Sequence, residues 1–196
     1  MITADSDPDR LVMVAEAALR GGAQILQLRH KTLARGALLA LARRLRQLAR
    51  DALFVVNDHV DIALLSQADG VHLGPDDLTV AAARRMAGDR LLIGASAASP
   101  QAAREAIAEG ADYLGAGPAF ATPIKKEKSV IGPAGVAEVA AAAGSAVPVF
   151  AIGGIDVDNI ALLVAAGVRR ACVIRAVSEA SDPEQAARHL RAMLDT

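Results

Sequence analysis

Short apolar runs alternate with Ala/Leu/Arg stretches whose apolar residues recur at helical spacing, and this alternation repeats eight times along the 196 residues. The runs predict strands at 1–4, 24–29, 53–57, 70–73, 91–95, 113–117, 148–152 and 171–175, each followed by a helical segment. Ser99-Pro100 and Asp182-Pro183 read as helix caps followed by proline in the first turn, and Asp156 suits the cap of the next-to-last helix. Gly21, Gly110 and Gly167 suit helix ends, and RGGAQIL, AEGADYL and AAGVRRA repeat the order helix end, glycine, strand without a solenoid's fixed period. Eight βα units joined by right-handed crossovers close most simply into a (β/α)8 TIM barrel, an α/β fold in which residues 1–196 form a single domain. The chain is at the short end of that fold's range, so short loops are expected. An open doubly wound sheet is the runner-up, but its glycine-rich fingerprint is missing after the first strand. Because MITADSD starts abruptly inside what reads as a strand end, the first strand is expected to lack a few N-terminal residues.

Composition narrows the partners. With 53% hydrophobic residues the chain can bury a sizeable core. A net charge of -1 and only four aromatics, Phe54, Tyr113, Phe120 and Phe150, offer neither a basic field nor a stacking surface, which argues against nucleic acid. The apolar runs fall short of the ~20 residues that cross a membrane, so no membrane span is expected. The single Cys172, inside the apolar run ACVI, reads as an inert core thiol and fits a reducing cytoplasm. Ala-rich helices leave the oligomeric state open.

The stretch QILQLRHK, residues 24–31, carries charge where a buried strand should not. Alternation puts Leu26 and Leu28 on one face, toward the helices, and Gln27, Arg29 and Lys31 on the other, toward the barrel interior. Unpaired buried cations cost several kcal/mol, so this row implies an anion near the C-terminal mouth, with an internal salt-bridge network as the bland alternative. Asn57-Asp58 and Asp76-Asp77 follow strands and collect on the same rim. Carboxylates from separate loops beside cations suit a Mg2+ that keeps waters and takes phosphate oxygens from a substrate, although each aspartate alone reads as a cap or loop residue. The stretch from Gly115 to Pro133 holds Lys125, Lys126 and Lys128 and little periodicity, which suits a lid over an anionic ligand. Gly153-Gly154, after the seventh run, fall where these barrels form a phosphate cup.

Together ITAD, QLRHK, VVNDHVDIA, ADGVHLGPDDL, IGAS, GADYLGAGPAF, the following Thr122 and Lys125, and AIGGI resemble the thiamine phosphate synthase family, in order and over nearly the whole chain. The resemblance implies a TIM barrel that joins a hydroxymethylpyrimidine diphosphate to a thiazole phosphate with Mg2+, releasing pyrophosphate. It implies that Gln27, Arg29, Lys31 and Asn57 hold the pyrimidine diphosphate, that Asp58 and Asp77 bind Mg2+, and that Ser96 contacts the reacting groups. Thr122 would touch the thiazole partner, Lys125 the diphosphate, and Gly154 with Ile174 the thiazole phosphate. Arg29, Lys31, Ser96 and Lys125 are the candidate catalytic residues. No protein nucleophile is needed, and the partners are phosphorylated small molecules.

Four positions depart from the family's pattern. Ile124 replaces a second threonine, Ala98 a histidine, Pro75 a glutamine, and Arg175 a serine after Ile174. Losing one hydroxyl at Ile124 would cost about 0.5 to 1.5 kcal/mol of binding. Arg175 would clamp the phosphate, fill its site, or pair with Glu179 one turn on. Two alternatives therefore stand beside the transferase: a non-catalytic phosphate-binding or regulatory member of the family, and a thiazole tautomerase-like enzyme, which Ala98 disfavours because it cannot shuttle a proton. His30 and His72 read as satisfied strand residues, His59 as a neighbour of the metal site, and His189 as a surface position.

Overall fold

Seven of the eight predicted strands form one parallel sheet, and the eighth contracts to a single bridge. In the computed structural model, which describes residues 1–122 and 129–195, the strands are β1 (Ile25–Leu28), β2 (Leu53–Asn57), β3 (Gly70–Leu73), β4 (Leu92–Ala97), β5 (Tyr113–Ala116), β6 (Val149–Ile152) and β7 (Ala171–Cys172). Their spatial order follows the chain, and every neighbouring pair is parallel. The expected strand at 1–4 is corrected: Ile2 alone bridges Gln27, while its N–H donates to the Val173 carbonyl at 2.9 Å. Polar residues from Asp5 onward turn the chain away before a ladder can extend, so Ile2 joins the first strand to the segment after the last.

Each strand leads into helix: α1 (Pro8–Arg20), α2 (Arg35–Leu48), α3 (Val60–Leu65), α4 (Val80–Ala87), α5 (Pro100–Ala108), α6 (Gly132–Ala143), α7 (Ile160–Ala165), α8 (Arg175–Ser178) and α9 (Pro183–Leu194). The caps at Ser99 and Asp182 form as expected, their side chains accepting from the N–H groups of Ala102 and Gln185. Asp156 does not cap its helix. Asn159 occupies that position, and the Asp156 carboxylate instead accepts from the N–H of Asp158 in the preceding turn. The last strand is also shorter than expected, because Arg175 opens α8 rather than ending β7.

Alternate strand residues separate two environments. Leu26, Leu28, Phe54, Val56, Val71, Leu73, Ile93 and Leu114 are almost wholly buried in the layer between sheet and helices. At the rim where strands begin, one clamp occurs twice. Asp69, just before β3, accepts from the Phe54 N–H at 2.7 Å and from Arg46 of α2. Asp112, just before β5, accepts from the Ile93 N–H at 2.7 Å and from Arg84 of α4 at 2.5 Å. Each carboxylate thus ties a helix to the start of an inner strand.

Candidate active site

The inward row of β1 opens into a cavity of about 560 Å³ at the C-terminal ends of the strands. Its walls include Gln27, Arg29, Lys31, Asn57, Asp58 and Asp77 on one side. Ser96, Thr122, Gly154, Ile174 and Arg175 complete the circuit, so every candidate site residue among the described residues lines this one space. Lys125 and Ile124 lie outside the described residues. A larger cavity, about 710 Å³, opens at the opposite rim and holds none of the candidates. Size therefore does not identify the site; the convergence of cations and carboxylates does.

Asp5 organises the cationic corner. Its carboxylate accepts from Arg29 Nη1 at 3.1 Å and from the Lys31 backbone N–H at 2.6 Å. Thr3 Oγ1 accepts from the Arg29 N–H and donates to the Arg29 carbonyl, both at 2.9 Å. The short segment at Ile2 thereby fixes the loop that follows β1. Asp5 was not singled out as a site residue from sequence, since contacts 24 and 26 positions away leave no local signature.

Asp58 follows β2 with φ 65°, a left-handed conformation that aspartate tolerates at a cost of about 1 kcal/mol. Its N–H donates to the His72 carbonyl at 2.8 Å, which holds the bend. The carboxylate is ion-paired with Lys31 Nζ. Asp77 accepts from the Gly74 N–H at 2.9 Å. Burial, and then the hydrogen bond with Asp58, push the Asp77 carboxyl above its ordinary value. Two carboxylates that close share a proton or a cation. Among the described residues no group of three or more His, Cys, Asp or Glu gathers as a metal cage. The donor set is two hard oxygen ligands, which fits Mg2+ completed by water and phosphate oxygens.

Across the cavity, β6 is followed by Gly153 and Gly154, with φ 98° and 64°. A Cβ on Gly154 would lie 2.4 Å from the Ala121 carbonyl oxygen, so only glycine lets the turn pack here with its backbone facing the cavity. Arg175 faces the same end, and Glu179 Oε2 lies 3.8 Å from its Nη1. His72 is a buried strand residue of β3, as the sequence suggests, 8% exposed, and it also lines the cavity and meets Ser96 Oγ at 3.1 Å.

Fold and rim together define a parallel α/β barrel whose cations, carboxylates and glycine turn gather where the strands end. The family model described as thiamine monophosphate synthase matches residues 1–177. A thiamine-phosphate synthase of Anaeromyxobacter dehalogenans is 45% identical over 197 residues, covering 100% of this chain and 86% of that protein. The Synechocystis thiamine-phosphate synthase is 44% identical over 96% of this chain, and this chain spans 55% of that protein, about half the length of several of the relatives it matches. A solved structure, thiamine phosphate pyrophosphorylase from Pyrococcus furiosus, superposes with a TM-score of 0.90 at 39% identity, covering 99% of this chain and 93% of that one. The chain belongs to the thiamine monophosphate synthase family.

Proposed function

We propose that this chain couples 4-amino-5-hydroxymethyl-2-methylpyrimidine diphosphate to hydroxyethylthiazole phosphate, giving thiamine phosphate and pyrophosphate with Mg2+. The observation that carries this reading is the contact between the Asp58 and Asp77 carboxylates, beside Lys31 and opposite the Gly153-Gly154 turn. A pair of carboxylates has no use in a site that merely binds phosphate, since it repels the anion unless a cation stands between them.

In this reading Gln27, Arg29, Lys31, Asn57 and Lys125 hold the pyrimidine diphosphate, and Ser96 contacts the reacting groups. Asp58 and Asp77 would hold Mg2+, which when bound offsets charge on the departing diphosphate. The bond from the methylene carbon to the diphosphate oxygen breaks, and its electron pair leaves with pyrophosphate. The aminopyrimidine ring carries the resulting positive charge until the thiazole nitrogen donates its lone pair and closes the new C–N bond. Arg29 and Lys31 stabilise the leaving group electrostatically, each such donor contributing about 3 kcal/mol. Thr122, Gly154 and Ile174 hold the thiazole phosphate, and Arg175 adds a guanidinium to it. The cavity walls keep water from the carbocation. The enzyme would work in the cytoplasm, where both phosphorylated substrates are retained.

The test is incubation of the protein with both substrates and Mg2+, following pyrophosphate release and the mass of thiamine phosphate. Product is expected, and chelation or Asp77→Ala should lower its rate about a thousandfold. Pyrophosphate release without thiamine phosphate would reject the thiazole acceptor, and no release at all would reject the transferase.

A further inference from the structure

His72 projects from β3 into the floor of the cavity, beneath Ser96 of β4. The strands pair in a register that sets His72 opposite Gly94, so Ser96 stands two residues further toward the rim on the same face. His72 Nε2 meets Ser96 Oγ at 3.1 Å.

The imidazole is closely confined. A Cβ on Gly115 would lie 3.1 Å from His72 Cε1. The Tyr113 ring sits 5.6 Å away, tilted by 35°. That ring in turn occupies the space over Gly94, where a Cβ would come within 2.0 Å of Tyr113 Cζ. Two inward positions are thus kept bare so that a tyrosine and a histidine fit at one level, with the imidazole held against the Ser96 hydroxyl.

A serine hydroxyl has one proton and two lone pairs, and it rotates to suit its partners. An Nε2–H that donates to Oγ occupies a lone pair and leaves the hydroxyl proton for a different acceptor. The other tautomer would draw the hydroxyl proton toward the ring and present only lone pairs to an anionic oxygen. We infer that His72 is a positioning residue, carrying its proton on Nε2 so that the Ser96 hydroxyl donates into the cavity, toward the diphosphate oxygens. The inference rests on the proposed diphosphate site and adds a residue to it.

The test is a double-mutant cycle with His72→Phe, which keeps a ring and removes the donor, and Ser96→Ala. Each single change should lower kcat/KM for the pyrimidine diphosphate about ten- to a hundredfold, as expected for losing one hydrogen bond to a charged group. The double variant should be no slower than Ser96→Ala alone. His72→Gln, which restores an N–H donor, should recover most of the rate, whereas a purely structural role would leave Gln no better than Phe. Multiplying effects, or an unimpaired His72→Phe, would overturn the inference. If His72→Phe does not fold, His72→Leu, which also removes the donor, takes its place in the cycle, and a multiplied loss there has the same meaning.

Calorimetric titration of inorganic pyrophosphate with Mg2+ separates this inference from the transferase reading. Equal weakening in His72→Phe, Ser96→Ala and the double variant supports the His72 role even if no thiamine phosphate forms. Product formation with independent effects rejects the His72 role and keeps the transferase. A wild-type protein that binds no pyrophosphate rejects both.

Discussion

Single atoms decide much of this site. Asp5 holds Arg29 and the Lys31 backbone together, so Asp5→Ala should raise KM for the pyrimidine diphosphate about tenfold, the cost of roughly one such bond, with a smaller change in kcat. Steady-state kinetics checks this, and an unchanged KM would mean that the cations hold their places unaided. Tyr113 presents the opposite case. Its hydroxyl is buried with no hydrogen-bond partner among the described residues, and burial pushes the phenol far above its usual range. The ring packs edge-on to Phe150 at 5.9 Å, so its apolar contacts survive removal of the oxygen. Tyr113→Phe is therefore expected to stabilise the fold by about 1 kcal/mol, raising the thermal midpoint by a few degrees. A lowered midpoint would show that the hydroxyl is satisfied in solution.

At the scale of elements, the repeated clamp makes two helices answer for two strands. Asp112→Ala would strand the Ile93 N–H and release Arg84, with an expected loss of about 1 to 3 kcal/mol in urea denaturation, and Asp69→Ala should behave alike. A loss below about 0.5 kcal/mol in both would mean that water replaces the carboxylate without penalty. Much of this architecture was legible in sequence. The alternation of apolar runs with helical periods reports strand and helix faithfully, and Ser99 and Asp182 mark helix starts through chemistry confined to three residues. What failed was reach. An apolar run does not reveal how many of its residues find a partner: Ile2 bridges alone, and Val173 and Ile174 resemble strand residues although β7 has ended. Asp156 carries a capping side chain but spends it one turn early.

For the molecule as a whole, the site has a cost that folding must carry. Burial and Asp58 hold the Asp77 carboxyl above the ordinary carboxylate range. A carboxyl raised in the folded state keeps its proton there while the unfolded chain has already lost it. Stability therefore falls as pH climbs from about 4 through the raised value, and the penalty persists above it. Asp77→Asn should accordingly raise the melting temperature of the metal-free protein near pH 7, leave it unchanged near pH 3, and abolish turnover. Mg2+ with pyrophosphate should raise the wild-type midpoint and not that of the variant; differential scanning calorimetry reads both, and a drop in the variant at neutral pH contradicts the assignment. The charged row from Gln27 to Lys31 and the aspartates after β2 and β3 were visible in sequence because ions in apolar surroundings stand out. His72 was not, since a lone histidine in GVHL reveals its partner only when the register beside β4 is known. The clamps bear on a different question. Asp69 and Asp112 lock the strands where they begin, which relieves the opposite rim of holding the barrel shut. Loops there are free to vary, and a lineage can try new acceptors one loop at a time without passing through an ancestor that does not fold.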